Sequence, residues 1–273
     1  YNFGDISHLF PPSHDTYTID GIFENKINSY FAWDEQNKIY ANRICSIPKD
    51  DITVSGNPIH ESIRSFQVKN TVSNKILIFG NNNLVYNEVE MVREIKKDDY
   101  LNSLGISLRI SPSVGGIGKE WKRRKDEHTN TLGSKNVILP SNAWFGSKYQ
   151  KTQLNYDYFS SLLNHKIFII TGISNIAYDV LSMKGILVLM FFNDFEDFNK
   201  FPWWTCEQRE VLNHLKNKPG VLVCRSVKEL KNQLKSYMES KNYSSTYYGQ
   251  NINSSQIIFN KLTSQNETSH SCI

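Results

Sequence analysis

The sequence predicts an α/β protein whose main domain is a doubly wound, Rossmann-like parallel sheet. From residue 75 to about 240, short and almost continuously apolar segments alternate with amphipathic segments of helical period. Strands that are covered on both faces have such apolar runs, and right-handed crossovers then place helices on both faces of the sheet. The length of 273 residues exceeds the usual size of one domain, so we also expect a second, smaller α/β part.

The apolar runs and the helical patterns between them predict the order of elements. Each apolar run is too short for a buried helix and has the length of a buried strand. Strands are predicted at 75–80, 106–111, 136–139, 166–171, 186–192 and 220–224. Helices are predicted near 85–97, 119–128, 150–164, 174–184, 205–217 and 226–240.

The segments that flank this region have different patterns. Strands are predicted at 29–33 and 51–54, and Asp34 is placed to cap a helix over 35–45, which is too little for an independent doubly wound domain. A polar stretch before residue 75 is suited to a linker. We therefore divide the chain into a partial amino-terminal domain with its linker at 1–74, a Rossmann-like domain at 75–241, and a polar tail at 242–273 in which 255–262 has the pattern of a last helix.

Composition and charge exclude several functional classes. The net charge of +4 suits an anionic nucleotide or a membrane surface, and it is too small to indicate nucleic acid as a partner. No run reaches the ~18 apolar residues of a membrane span, so we expect a cytoplasmic protein with at most a peripheral contact with the inner face of the plasma membrane. The cysteines lack metal-ligand spacing and indicate free thiols. They are Cys45, Cys206, Cys224 and Cys272.

Candidate binding residues follow the predicted strands, because ligands of an open parallel sheet bind at the carboxyl ends of its strands. After the strand at 75–80, Asn81 offers an amide next to a glycine that lets the backbone approach a ligand; a simple turn is the alternative. After the strand at 136–139, one loop offers a stacking surface and amide contacts for a flat nucleotide base, or else packs against neighbouring helices. The residues of that loop are Pro140, Ser141, Asn142 and Trp144.

The short elbow at 172–175 is suited to a phosphate. Gly172 permits a tight turn at the end of a strand, and Ser174 or Asn175 can cap the helix that follows. The first amides of a helix favour a phosphate oxygen, and Asp179, one turn into the helix, can accept hydrogen bonds from a ribose diol. The alternative is an ordinary capped helix in which the Asp179 charge favours the helix dipole.

Two other loops are rich in charged or aromatic residues. The segment 111–125 lacks the pattern of a phosphate loop, and its basic helix is either a solvated face or a contact for phosphates or an acidic membrane. The acidic run at 194–197 does not fit a metal site on this architecture, so we predict no bound metal. The aromatic residues at 201–204 suit a sugar, a lipid acceptor or an interdomain contact.

Three segments together resemble the carboxyl-terminal half of GT-B glycosyltransferases, particularly bacterial enzymes of capsule, lipooligosaccharide and teichoic-acid type synthesis. VSGNPIHES (54–62) is similar to the strand and Gly-Asn-Pro turn that close the amino-terminal domain of that group. SLRISPS (107–113) is similar to its R-x-H-P segment, and ITGISNIAYDVLSMKGILVL (170–189) to its donor-phosphate segment. The order and spacing of the three agree over roughly residues 50–240.

The sequence departs from the pattern of that group at several positions. Ser111 stands where the group has a histidine that contacts the donor phosphate, and Asn175 replaces the second serine of the donor-phosphate segment. Phe3 stands where a faintly similar segment has its catalytic histidine. Candidates for the catalytic base are then His8, His14 and Asp15, with Asp20, His60 and Glu61 as further candidates for the acceptor side.

The resemblance implies a metal-independent glycosyltransferase that moves a sugar from a nucleotide-sugar to a surface-glycan or lipid-linked acceptor. It implies no cofactor, since the nucleotide-sugar is a co-substrate. In this scheme the 140–145 loop holds the base and Asp179 holds the ribose. The donor-phosphate residues would be Gly172, Ser174, Asn175, Asn81 and Ser111.

Two alternatives of other classes stay open. The chain fits a nucleotide- or glycan-binding domain that keeps the fold without catalysis, and it fits a nucleotide-sugar epimerase of similar architecture. The sequence identifies neither the base, the sugar nor the acceptor, and it predicts neither the stereochemical outcome nor an oligomeric state.

Overall fold

The computed structural model describes residues 2–3, 6–9, 29–45, 47–58, 60–61, 74–80, 85–110, 119–138, 156–171, 176–183, 185–192, 215–240 and 252–270. The chain divides into two units. Unit 1 comprises Tyr1–Val68 together with Tyr247–Ile273, and unit 2 comprises Lys69–Thr246. None of the described helices is long and apolar enough to cross a membrane.

Unit 1 contains a four-stranded sheet in the order β1-β2-β3-β4. The first two strands are antiparallel, whereas β2, β3 and β4 run parallel. The strands are β1 (Asn2–Phe3), β2 (Ile6–Leu9), β3 (Ser29–Ala32) and β4 (Ile52–Val54). The longer helices of this unit are α1 (Glu35–Cys45) and, from the carboxyl-terminal segment, α8 (Ser254–His270).

Helix α1 starts where the sequence predicts it, because Asp34 caps it. The Asp34 carboxylate accepts a hydrogen bond of 2.7 Å from the backbone N–H of Asn37, which satisfies one of the free donors of the first turn. The helix packs on the sheet through Ala41, and it shares a small apolar core with Tyr30 of β3 and Ile52 of β4. The predicted helix over 35–45 is therefore confirmed.

Unit 2 is built on six parallel strands in the order β10-β9-β8-β5-β6-β7. Each strand coincides with one of the predicted apolar runs, and every residue of the central strands β5, β8 and β9 is buried because helices cover both faces. The strands are β5 (Ile76–Phe79), β6 (Ile106–Arg109), β7 (Val137–Ile138), β8 (Ile167–Ile170), β9 (Ile186–Met190) and β10 (Val221–Cys224).

The helices of unit 2 alternate with these strands along the chain. They are α2 (Val85–Lys97), α3 (Asp99–Ser103), α4 (Lys119–Leu132), α5 (Tyr156–Leu163), α6 (Ile176–Ser182) and α7 (Val227–Ser240). Most of the predicted helix over 205–217 lies outside the described residues.

Helices α2, α4 and α7 cover one face of the sheet, which we call face A. Val92 of α2, Leu132 of α4 and Leu230 of α7 belong to one apolar cluster with Ile78 of β5 and Ile169 of β8. Successive strand residues point to opposite faces, so Phe168 lies on the other face, face B.

Helix α6 packs on face B. A Cβ atom added to Gly185 would come within 2.7 Å of the Phe168 ring and 2.8 Å of the Val180 side chain, so helix and strand meet closely there. The chain thus winds from the central strand β5 in both directions with helices on both faces. The predicted doubly wound, Rossmann-like α/β fold is confirmed.

Candidate functional site

The order of strands in unit 2 reverses between β5 and β8. These two strands are neighbours in register, and Phe79 and Ile170 pair at their carboxyl ends. The helix after β5 is α2 on face A, whereas the helix after β8 is α6 on face B. The chain therefore leaves the two strands toward opposite faces. In open α/β sheets this switch point is where a crevice opens for ligands.

A buried hydrogen bond connects the two sides of this switch point. The hydroxyl of Thr171, the residue directly after β8, donates to Oε1 of Glu88 at 2.7 Å. Glu88 lies in the first turn of α2, the helix that follows β5, and its exposed fraction is 0%. The bond joins positions 83 residues apart in sequence, and it fixes the end of β8 to the helix that follows β5.

His128 of α4 lies on the other side of the same carboxylate. Its Nε2 is 3.6 Å from Oε2 of Glu88, and the imidazole is as deeply buried as the carboxylate. A carboxylate without solvent is unfavourable unless charged or hydrogen-bonding groups surround it. Glu88, Thr171 and His128 therefore form one polar cluster inside an otherwise apolar core, and we call it the Glu88 cluster.

Arg109 brings a positive charge to the same edge of the sheet. It is the last residue of β6 and pairs with Phe79, the last residue of β5. Its neighbours Leu108 and Ile110 belong to the apolar cluster of face A, so Arg109 itself points to face B. The side chain is 96% removed from solvent, with an exposed fraction of 4%. A guanidinium at this depth favours negative charge nearby.

One of the predicted donor residues is described at this edge. Asp179 lies on α6, three residues after the helix begins at Ile176, and it is half-buried. Its backbone carbonyl accepts a hydrogen bond of 2.7 Å from the Ser182 hydroxyl. Thr171 is held by its bond to Glu88, and α6 packs on face B.

Most of the other predicted site residues lie outside the described residues. His8 is described as part of β2 in unit 1, where it pairs with Ser29. The roles assigned to the rest stay predictions. They are Gly172, Ser174, Asn175, Asn81 and Ser111 for the donor phosphate, Pro140, Ser141, Asn142 and Trp144 for the base, and His14 and Asp15 for catalysis.

His60 and Glu61, the further candidates for the acceptor side, have structural contacts in unit 1. His60 is 2% exposed, with its Nε2 3.4 Å from the Asn57 amide nitrogen and its ring edge-on to Trp33 at 5.6 Å. Because the amide donates, this nitrogen accepts. The Glu61 carboxylate receives hydrogen bonds at the start of α8, at 2.7 Å from the N–H of Ser254. These contacts occupy both side chains.

The described part of the chain offers no thiol or metal chemistry at the edge. Cys224 ends β10, and burial raises the pKa of its thiol to about 12, so it stays protonated near neutral pH. No group of three or more His, Cys, Asp or Glu side chains among the described residues could hold a metal ion.

Sequence reasoning missed Glu88 and His128, and it did not select Arg109 as a site residue although Arg109 is the arginine of the SLRISPS segment. Glu88 lies on the apolar stripe of α2 formed by positions 85, 92 and 95, and His128 lies one turn before Leu132 on the stripe of α4. Arg109 is the single charged residue in an apolar strand. A polar residue on an apolar stripe or strand marks a buried polar group.

Comparison with known proteins identifies the fold. No family model matches the sequence, and no curated protein matches it. The structure is similar to a histidine-to-asparagine variant of the wall teichoic acid polymerase TagF, with a TM-score of 0.51 and 12% identity over 91% of this chain and 60% of that chain. It is equally similar to UDP-GlcNAc 2-epimerase from Methanocaldococcus jannaschii, with a TM-score of 0.51 and 15% identity over 88% and 63%.

The corresponding epimerase from Neisseria meningitidis, whose structure contains UDP-GlcNAc, gives a TM-score of 0.51 and 16% identity over 92% of this chain and 67% of that chain. At such identities the likeness establishes the fold alone, which is of the GT-B type. The chain spans about 60 to 67% of the length of these three proteins.

Proposed function

We propose that this chain binds a nucleotide-sugar at the switch point of unit 2 and acts as a glycosyltransferase. The observation that carries the proposal is the reversal of strand order between β5 and β8, because parallel α/β sheets bind ligands at that place. The buried guanidinium of Arg109 at the same edge supports an anionic ligand. The fold shared with a teichoic acid polymerase is a further support for this class of ligand.

The proposed roles follow the position of each residue relative to this edge. The elbow residues Gly172, Ser174 and Asn175 would hold the donor phosphates after β8, together with Asn81 after β5 and Ser111 after β6. Asp179 on the first turns of α6 would accept hydrogen bonds from the ribose. The loop after β7 would contact the base through Pro140, Ser141, Asn142 and Trp144.

For the transfer step, we propose a metal-independent reaction. An acceptor hydroxyl, from a surface glycan or a lipid-linked glycan, loses its proton to a base and attacks the anomeric carbon. The candidates for the base are His8, His14 and Asp15. Positive groups and oriented donors such as Arg109 would stabilise the charge on the leaving nucleotide. A cytoplasmic protein that contacts the membrane peripherally is the setting that fits such a reaction.

An epimerase is the second candidate function. Two of the three similar structures described above are UDP-GlcNAc 2-epimerases, and their TM-scores equal that of the polymerase. A binding domain without catalysis is the third candidate. All three candidate functions would use the same nucleotide-sugar site. One experiment therefore tests the site, and a second, on the reaction of the nucleotide-sugar, separates the three functions.

The site is tested by melting the protein with UDP, GDP, CMP and CDP, since a ligand that binds only the folded form raises Tm. We expect one nucleotide to raise Tm in the wild type and to lose most of this effect in Ser174→Ala and Asp179→Ala. Glu239→Ala is the matched control, because Glu239 is 67% exposed on α7. Wild-type shifts in both site variants, with the fold retained, would overturn the assignment.

The chemistry is tested with the nucleotide-sugar whose nucleotide gives the largest shift. Slow release of free nucleotide from the donor supports a transferase. Conversion of the sugar to its epimer supports the epimerase, and tight binding without turnover supports the binding domain. Either of the last two results would overturn the glycosyltransferase proposal while leaving the site in place.

A further inference from the structure

We infer that Glu88 is a positioning residue of the nucleotide site, and that it acts through Thr171 with His128 as its support. This inference rests on the proposed nucleotide site at the switch point of unit 2. Glu88 itself lies beneath the edge of the sheet and is fully buried, so it acts on the ligand through its neighbours.

Stability alone does not explain a carboxylate at the position of Glu88. The surrounding core is apolar, and Val92 and Ile95 continue the same stripe of α2 on which Glu88 lies. Apolar side chains of similar volume are often as stable as a buried charged pair, or more stable. A buried polar cluster instead specifies one arrangement of the groups around it.

The Glu88 cluster lies at the switch point between β5 and β8. The Thr171–Glu88 bond of 2.7 Å joins the residue directly after β8 to the helix that follows β5. These are the two branches of chain that diverge at the switch point. The bond therefore sets the position from which the chain leaves β8, which is the starting point of the proposed phosphate elbow.

His128 lies on the other side of the Glu88 carboxylate. Its imidazole lies 3.6 Å from the carboxylate oxygen that Thr171 does not use, and both side chains are almost fully buried. At 3.6 Å this is a close contact rather than a hydrogen bond. The imidazole restricts where the carboxylate can lie and so supports its bond to the Thr171 hydroxyl. The helices α2 and α4 are thus tied to the end of β8 through one carboxylate.

The experiment compares nucleotide affinity with stability in four variants. Thr171→Val removes the hydroxyl and keeps the shape, whereas Thr171→Ser keeps the hydroxyl. Glu88→Gln keeps an oxygen that can accept from Thr171 and removes the charge. Thr131→Val is the matched control, because the Thr131 hydroxyl makes a 2.8 Å bond to the Glu127 carbonyl within α4, and the Thr131 carbonyl accepts from Lys96 in the last turn of α2.

The readouts are the Kd of the nucleotide among UDP, GDP, CMP and CDP that stabilises the wild type most, and the free energy of unfolding without nucleotide. We expect Thr171→Val to raise Kd about tenfold, which corresponds to about 1.4 kcal/mol of binding free energy, because the elbow then starts from a less fixed position. Thr171→Ser should bind within about twofold of wild type, and Glu88→Gln should lie between. Thr131→Val should lose stability and keep the wild-type Kd.

A merely structural role would lower the free energy of unfolding of the cluster variants and the control alike, with Kd unchanged. Wild-type Kd values in both Thr171→Val and Glu88→Gln, measured on folded protein, would overturn the inference and leave the nucleotide site standing. If the wild type binds none of the four nucleotides, the proposed function fails, and the positioning role fails with it.

Discussion

Two glutamates, one in each unit, bind parts of the chain that are distant in sequence. In unit 1, the Glu61 carboxylate accepts hydrogen bonds from the backbone N–H groups of Ser254 and Ser255, at 2.7 and 3.3 Å, and from the Ser255 hydroxyl at 2.8 Å. In unit 2, Glu88 accepts from the Thr171 hydroxyl at 2.7 Å and faces His128. Both carboxylates join two segments, but their surroundings differ.

The difference lies in solvent and in the partner groups. Glu61 is half-buried and meets the free N–H groups at the start of α8, where a negative charge is favoured by capping and by the helix dipole. Glu88 has no exposed surface, and its contacts among the described residues include the Thr171 hydroxyl and the His128 imidazole inside an apolar core. The first contact stabilises the fold directly. The second contact only offsets the free-energy cost of removing the Glu88 carboxylate from water. We therefore expect its main effect on the geometry of the proposed nucleotide site.

The largest effect is expected when the Glu88 cluster loses one member. Glu88→Leu leaves the Thr171 hydroxyl buried without its acceptor and removes the carboxylate beside His128, and we expect it to lower the free energy of unfolding by about 3 kcal/mol. The measurement is denaturant unfolding of the purified protein at neutral pH. A much smaller loss would show that Thr171 and His128 do not depend on the Glu88 carboxylate.

The matched control removes the whole cluster at once. The triple variant Glu88→Leu, Thr171→Val, His128→Leu removes the three polar side chains of the cluster together, and we expect it to recover at least half of the lost stability. A triple variant that is as unstable as the single one would show that the cluster stabilises the fold in itself. Glu88 would then stabilise the fold directly, as Glu61 does.

The second effect concerns the segment that holds α8 in unit 1. Gly56 has a φ of +75°, and a Cβ atom there would come within 2.6 Å of the Ser254 hydroxyl oxygen and 2.9 Å of the Ile252 side chain. Gly56→Ala therefore adds a clash to backbone strain. We expect a loss of about 2 to 3 kcal/mol in the free energy of unfolding, measured with denaturant.

Gly105→Ala separates the clash from the strain. Gly105 has a φ of +77°, nearly that of Gly56, but the nearest atom to an added Cβ is the Lys75 Cγ at 3.7 Å, an ordinary contact. We expect a loss of about 1 kcal/mol from strain alone. Equal losses in the two variants would contradict the close packing of α8 against Gly56.

The sequence predicts the six strands of unit 2 because each is an apolar run bounded by polar or glycine residues, as in the stretch from Ile186 to Met190. It did not predict β1 and β2, which are short and lie outside any apolar run. Helix α8 extends to His270, beyond the predicted 255–262. Its first turn is capped by Glu61, 193 residues earlier, which no local pattern can reveal.

The candidate site could be predicted only in part, for a similar reason. Loops after apolar strands are local features, so Asp179 and the 172–175 elbow could be selected from the sequence. The Glu88 cluster depends on strand order, because Thr171 and Glu88 meet only when β8 lies next to β5. Sequence periodicity marks Glu88 as buried, but it does not identify the partner.

The smallest effect is expected for the capping glutamate of unit 1. Glu61→Ala removes the acceptor of the Ser254 and Ser255 donors, but water can reach the exposed Ser255 and replace part of what is lost. We expect a loss of about 1 kcal/mol in the free energy of unfolding, the usual value for a helix cap. Glu61→Gln should lose less, because one oxygen remains to accept from Ser254.

Glu239→Ala is the control for removing a surface carboxylate, since Glu239 lies 4.0 Å from Lys235 and both side chains are exposed. We expect its effect to stay below about 0.5 kcal/mol. If Glu61→Ala also stays below that value, the carboxylate at the start of α8 contributes no more than a surface pair. If its loss instead reaches that of Glu88→Leu, burial is not what separates the two glutamates. We expect the loss in Glu61→Ala to lie between those of Glu239→Ala and Glu88→Leu, because the Glu61 carboxylate is only partly exposed.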